Sequence, residues 1–292
     1  MRPFDLLQPR TTAEAIGLLQ SHGDDAQLVA GGAMLLILLQ QGLVSPRVLV
    51  SVTDIPDLTG LTDQPGGLRI GAATTLREIE RSPLITHRYP MLREALVQVA
   101  NVRVRNVATL GGHLAHSDPH LDLPPVLVAL GATVQLQSAI GRRDLPLSDF
   151  LIGHYENALE LGEMIVSISI PEAPSGWHGT YLKYCSLTPT DWPTVGVAAM
   201  VRAEGDRIAE ARVVAGSVAE QPLRLPEAEA LLTNQRLSRA LLDEVASLYA
   251  AAADPLADVR GSEAYKRKMT GVFVKRAILQ AAQRAGIDEV GA

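Results

Sequence analysis

Asn106-Val107-Ala108-Thr109-Leu110-Gly111-Gly112-His113-Leu114-Ala115-His116-Ser117-Asp118-Pro119-His120-Leu121-Asp122-Leu123-Pro124 is the densest run of special residues in the chain. It carries a glycine pair, a hydroxyl at Thr109, two carboxylates and three imidazoles, with no Lys or Arg to neutralise the acids. Three readings are open. In the first it is a capped loop, with Asp118 closing a turn before Pro119 and Asp122 capping a helix that starts at Pro124. In the second it is a cofactor loop: the amides after Thr109 face phosphate, and the carboxylates accept from sugar or ribityl hydroxyls. In the third, His113, His116, Asp118, His120 and Asp122 ligate a metal, since imidazole and carboxylate suit zinc or iron. The spacing matches neither H-E-x-x-H nor a facial triad, and Pro119 breaks any helix that would align the donors.

A second glycine pair lies upstream in Val29-Ala30-Gly31-Gly32-Ala33-Met34-Leu35. Glycines at a strand end let backbone approach a ligand closely and turn N–H groups outward. The pattern around them is strand, turn, helix, strand: Gln27–Ala30, then Met34 to Gln41 closed by Gly42 and Pro46, then Arg47–Val52. It is not the dinucleotide fingerprint, because G-x-G-x-x-G is absent. A capping box at Thr11–Glu14 opens the helix before it.

A further α+β stretch follows. Leu68–Ala72 reads as a strand, Thr75–Glu78 as another capping box, Pro90 to Ala100 as a helix and Thr133–Gln137 as a strand. The last third changes character. Met164–Ile170, Trp177–Tyr184, Val195–Arg202 and Ile208–Ala215 read as antiparallel strands, followed by helices around Pro226–Leu232, Leu241–Ala252 and Glu263–Ala285. Strands then helices indicate a separate α+β domain, with a boundary in the cluster of Pro171, Pro174 and Gly176.

Composition narrows the chemistry. The 292 residues carry a formal charge of -6 and no basic block, against nucleic-acid binding. The single cysteine, Cys185, cannot by itself form an internal disulfide or hold an iron–sulfur cluster. Any redox centre here therefore needs no thiolates. Met1–Asp5 places a proline and an acid where a signal peptide has its apolar core. In the longest uncharged stretch only Ala33–Leu39 is continuously apolar, against about 20 residues for a span. A cytoplasmic protein without a membrane span is expected.

The two glycine loops together resemble the FAD-binding medium subunits of the carbon monoxide dehydrogenase and xanthine dehydrogenase family of molybdenum hydroxylases. That family pairs an "AGG" loop, here Ala30-Gly31-Gly32, with "T-x-G-G-x-x-A-x-x-D-P-x-x-D-x-P". The latter is matched by Thr109, Gly111, Gly112, Ala115, Asp118, Pro119, Asp122 and Pro124. Four more matches follow in family order: Ile70–Thr75 with "IGA-x-T", Val102–Asn106 with "xVRN", Tyr181-Leu182-Lys183 plus Asp191–Ala198 with "YxK…DYAxVGVA", and Gly261–Lys266 with "GSxxYR".

The resemblance implies an α+β protein: a two-subdomain FAD-binding fold of the vanillyl-alcohol oxidase (PCMH) type, followed by a C-terminal α+β domain. It divides the chain into 1–173, with subdomains of about 1–55 and 56–173, and 174–292. It implies FAD as cofactor, bound by Val29, Ala30, Gly31, Gly32, Ala33, Met34, Leu35, Thr74, Thr109, Leu110, Gly111, Gly112, His113, Ala115, Asp118, Asp122, Leu123, Lys183 and Trp192. Within that set, Ala30–Ala33 and Gly111–Gly112 would cradle the pyrophosphate. Thr74, Thr109, Asp118 and Asp122 would serve the ribityl and adenosine end or brace the loops, and Lys183 and Trp192 would lie near the isoalloxazine. It implies an iron–sulfur small subunit and a molybdenum-cofactor large subunit as partners, in a dimer of heterotrimers, with electrons passing through FAD to an external acceptor. The alternative functions are a stand-alone FAD oxidase or dehydrogenase and a metal protein built on the His113–Asp122 loop. Some positions depart from the pattern. Ala33 and Met34 remove two side-chain donors, His113 replaces Asn or Ser, Trp192 replaces Tyr, and Pro193 follows it.

Overall fold

Alternation of strand and helix in the first fifty residues yields a parallel three-stranded sheet. The structure, a computed structural model, describes residues 2–172 and 175–288; the boundary expected between 173 and 174, with Pro174, lies outside them. Val48–Ser51 is the central strand, flanked by Asp5–Leu7 and Ala26–Val29. All four of its residues are buried, which is why it reads as an unbroken apolar run with no alternation. Helix Thr12–His22 packs Ala15 and Ile16 into this core, and the Thr11 hydroxyl caps it by accepting from Glu14 N. Between the second and third strands run the Gly31-Gly32 turn and helix Leu35–Gln41. The helix stops at Gly42, whose φ of 73° lies in the left-handed region.

A five-stranded antiparallel sheet follows, ordered Leu61–Gln64, Gly67–Gly71, Met164–Pro171, Thr133–Ser138, Gly141–Pro146. Its two edge strands carry no clear sequence signal. Both are largely exposed, so neither has the apolar alternation that marks a half-buried strand. Helices Leu76–Arg81, Pro90–Leu96, Leu110–His116 and Leu123–Ala129 supply Leu76, Leu92, Leu96, Leu114, Val126 and Leu127 to the core that covers this sheet. Leu110–His116 forms where the sequence reads as a loop. The Thr109 hydroxyl accepts from Gly112 N at its first turn, offsetting the poor helix propensity of two glycines.

The last sheet is an antiparallel meander, Trp177–Tyr184, Val195–Glu204, Arg207–Gly216 and Leu223–Arg224. Helices Pro226–Leu232, Arg239–Ala252 and Glu263–Arg284 cover one face. The other face lies against the preceding unit: Val195, Val197, Ala199 and Val201 join one core, while Ala198 and Met200 join the other. The same pleat turns Tyr181 toward the preceding core and Leu182 and Tyr184 away from it. Lys183, two residues on from Tyr181, therefore shares its face and meets the other half of the chain. Among the described residues no helix is long and apolar enough to cross a membrane.

Candidate functional site

The two glycine loops meet. A Cβ added at Gly31 would lie 1.7 Å from Val107 O and 3.0 Å from Ala108 Cα, so only a glycine lets the first loop press on the lead-in to the second. Gly32 reverses the chain with φ 66°. Val29 O accepts from Val52 N and ends the strand. Beyond it, the five successive amides of Gly31, Gly32, Ala33, Met34 and Leu35 donate to no acceptor among the described residues; the first pairing amide is Leu36 N, on Gly32 O. Met34, at the helix N-cap, has no side-chain cap bond. A row of unpaired N–H groups is an anion site made of backbone alone. It survives the loss of side-chain donors at Ala33 and Met34.

The second loop is built differently. Leu110 N donates to Thr74 O and Gly111 N to Ala72 O, while Gly112 N takes the Thr109 hydroxyl. The expectation that amides after Thr109 face phosphate is corrected at these three positions, because the fold already uses them. A Cβ on Gly111 would meet Ala72 Cβ at 2.7 Å, so this glycine serves close packing against the strand end. Thr74 is fully buried and its hydroxyl donates to Gly60 O at 3.2 Å. Leu110 and Leu123 point their side chains into the hydrophobic core, and Arg105, ion-paired with Glu80 at 2.8 Å, anchors the lead-in.

Between the loops opens a cavity of about 280 Å³ that brings together Ala30, Gly111, Gly112 and Ala115 with Leu28 and the Leu159–Ile165 stretch. Its largely apolar wall suits a flat aromatic base, and Ala30 on that wall directly precedes the row of free amides.

The acidic end of the run divides in two. Asp118 Oδ1 accepts from His120 N at 2.9 Å and lies 2.8 Å from His120 Nδ1, which is the expected turn. Burial raises this carboxyl, but the His120 contacts outweigh it and leave it below the usual carboxylate value. Asp122 makes no helix-cap bond. Instead Oδ1 accepts from Tyr181 Oη at 2.8 Å and Oδ2 from Lys183 Nζ at 3.0 Å, while Lys183 also donates to Gln98 O. Side-chain exposures of 5% and 2% make this a buried pair and rule out a solvated lysine. Burial pushes Asp122 up to about 6, and Lys183 and Tyr181 hold it from rising further.

His113 is partly exposed as a residue, yet its Nε2 is buried without a partner among the described residues; burial lowers its pKa to about 3, so the ring is neutral. His116 Nε2 is likewise buried and unpartnered, and its ring packs on Tyr155 at 5.3 Å. Among the described residues no three His, Cys, Asp or Glu side chains group as a metal site. Trp192 stands apart, 40% exposed, with the Arg260 guanidinium 5.3 Å from its ring centroid. Sequence reasoning passed over Tyr181 and Arg260. The first lies inside the "YxK" match and the second directly precedes "GSxxYR", which is the signal that could have drawn attention to them.

Residues 2–173 match the family described as FAD binding domain in molybdopterin dehydrogenase, and 181–281 match the CO dehydrogenase flavoprotein C-terminal domain. The chain belongs to the FAD-binding subunits of the molybdenum hydroxylases. It is similar to the carbon monoxide dehydrogenase medium chain of Afipia carboxidovorans, at 33% identity over 97% of this chain and 98% of the relative. Its fold is similar to a chain of the carbon monoxide dehydrogenase from Hydrogenophaga pseudoflava, with TM-score 0.93 and 34% identity over 97% of this chain and 98% of that one. A chain of quinoline 2-oxidoreductase from Pseudomonas putida 86 is also similar, with TM-score 0.93 and 32% identity over 97% and 98%. FAD is the family's cofactor and this chain's. The residues present fit it: free amides for a pyrophosphate, a backbone contact at Gly31 that a Cβ would destroy, and an apolar cavity beside them.

Proposed function

We propose that this chain carries electrons between an iron–sulfur small subunit and an external acceptor, in a cytoplasmic dimer of heterotrimers whose large subunit holds the molybdenum cofactor. Oxidation of the organic substrate then belongs to that large subunit. The division into 1–173 and 174–292 is part of the proposal, with the flavin held where the two units face one another. Bound FAD supplies a centre that takes up and releases electrons singly or in pairs.

The chain's own residues do the rest. The amides of Gly31 to Leu35 bind the pyrophosphate, and Gly112 and Ala115 shape the floor beside it. The imidazole of His113, neutral and without a protein partner at Nε2, offers a donor or acceptor to the cofactor. Lys183 holds an ammonium at the seam, where positive charge favours added electron density on a flavin ring. Asp122, gripped by Tyr181 and Lys183, fixes where that ammonium sits. Trp192 covers the ring.

The observation that carries this reading is the row of five unpaired amides meeting the second loop at Gly31. Expression of the full chain tests it. The expected result is the two visible bands of an oxidised flavin, released FAD near one per chain, and capture of two partner chains from the native host. A colourless protein that FAD does not reconstitute would sink the reading; a yellow chain that captures neither partner would sink its assembly.

A further inference from the structure

Arg260 holds two loops with one guanidinium. Its Nη2 donates to Asp191 Oδ1 at 2.8 Å, and its Nη1 to Asp258 Oδ2 at 3.2 Å. Asp191 and Trp192 lie on the loop between strands Trp177–Tyr184 and Val195–Glu204; Asp258 lies before helix Glu263–Arg284. The tether has further strands. Trp192 N donates to the same Asp191 Oδ1 at 2.8 Å, and Ser186 Oγ donates to Arg260 O at 2.8 Å. Lys266, 1% exposed at its side chain, holds Asp258 Oδ1 at 2.8 Å. His120 Nε2 stands 4.0 Å from Asp258 Oδ2, so the tether reaches the loop that carries Asp118.

The tether ends at Trp192. The guanidinium lies 5.3 Å from the centroid of an indole that is still 40% exposed. Stacking of this kind stabilises by about 0.5–1 kcal/mol at exposed sites, too little to explain the polar contacts that Arg260 makes with Asp191, Asp258 and Ser186. The polar contacts fix the backbone and the stack fixes the ring plane. Arg260 Nε is also shielded from solvent and without an acceptor among the described residues.

We infer that Arg260 is a positioning residue: it sets the plane of Trp192 so that the indole's open face covers the flavin ring. The inference rests on the reading that places Trp192 beside the ring. Asp191 and Asp258 are its anchors. Lysine cannot replace it, because a point charge cannot fork between two carboxylates and lie flat on an indole together.

Flavin emission tests this in the FAD-loaded full chain, because an indole in contact with the ring quenches it. Four proteins are compared: wild type, W192F, R260K and D191N, each with FAD stoichiometry, ADP affinity and unfolding midpoint measured. ADP reports the amide cradle without the ring. Loss of one charge-assisted contact shifts the loop's closed-to-open ratio about tenfold. Emission should therefore rise strongly in W192F and to an intermediate level in R260K and D191N, with ADP affinity unchanged in all. D191N takes the charge off the tether's other end and weakens it there, so the test survives if R260K folds poorly. If W192F brightens the flavin while R260K and D191N stay as dim as wild type, Arg260 does not position the indole and the inference is overturned. If W192F itself stays dim, Trp192 is not on the ring, and the reading beneath the inference falls first.

Discussion

Gly31→Ala is the most informative single change. Its Cβ would sit 1.7 Å from Val107 O, whereas ordinary contact begins at 3.4 Å, so the two loops must part by about 1.7 Å. The oxygen belongs to backbone and the Cβ is fixed by it, so no side-chain rotation relieves the overlap. Overpacking of this kind costs about 1–3 kcal/mol of stability. The larger effect falls on binding. Moving the loop by more than half a hydrogen-bond length misaligns the amides of Gly31 to Leu35, and a hydrogen bond to a charged group is worth about 1.5–3 kcal/mol. Losing one or two of them weakens FAD binding about 100-fold, at roughly tenfold per 1.4 kcal/mol. Titration of the flavin-free variant with FAD and with ADP, beside its urea unfolding curve, measures both parts. Gly17→Ala is the internal control: it lies exposed in helix Thr12–His22, away from both loops, and its Cβ meets nothing within 4 Å. Gly31→Ala binding FAD and ADP within a few-fold of wild type, or Gly17→Ala proving the more damaging of the two, would refute the clash as the cause.

Three further outcomes are expected. Lys183→Met strands the Asp122 carboxylate in a buried site and should cost about 3–5 kcal/mol at pH 8 by chemical denaturation, with part of the loss recovered in the Asp122→Leu/Lys183→Met double variant; a single variant as stable as wild type would contradict the pair's burial. Asp122 has a folded value of about 6, above its usual 3.8, so its contribution to stability is present below 3.8 and lost as pH rises through 6. The wild-type minus Asp122→Asn difference in unfolding free energy should therefore fall from pH 4 to pH 7, and a rise would reverse the sign argued here. His113 is depressed from 6.5 to about 3, so the unfolded chain takes up a proton that the folded chain refuses as pH drops below 6.5. His113→Asn should remove on the order of 2 kcal/mol of acid sensitivity between pH 7.5 and pH 5, read from urea midpoints; equal pH profiles would exclude a neutral buried imidazole.

Much of the molecule was legible along the chain. The parallel strand Val48–Ser51, the capping threonines Thr11 and Thr75 and the meander of the last third follow from local pattern, because propensity, capping and burial act over a few residues. So did the two glycine loops and, through their resemblance to a family, the cofactor. The exposed edge strands Leu61–Gln64 and Gly141–Pro146 were silent, since an edge in water needs no apolar face.

What the sequence determined by itself was which backbone segments can come close to a ligand: glycine at positions 31 and 111 is a chemical fact before any fold exists. What only the tertiary structure decided was which polar groups are left over. Gly31 to Leu35 keep free amides while Leu110 and Gly111 lose theirs to Thr74 and Ala72, although both loops carry the same glycine pair. Asp122 passed over its own helix for Lys183 and Tyr181, 61 and 59 residues away, and Arg260 found Asp191 at a separation of 69. A hydrogen-bond partner is chosen by proximity in space and by the penalty for burying a polar group unpaired, and neither is set until distant segments pack.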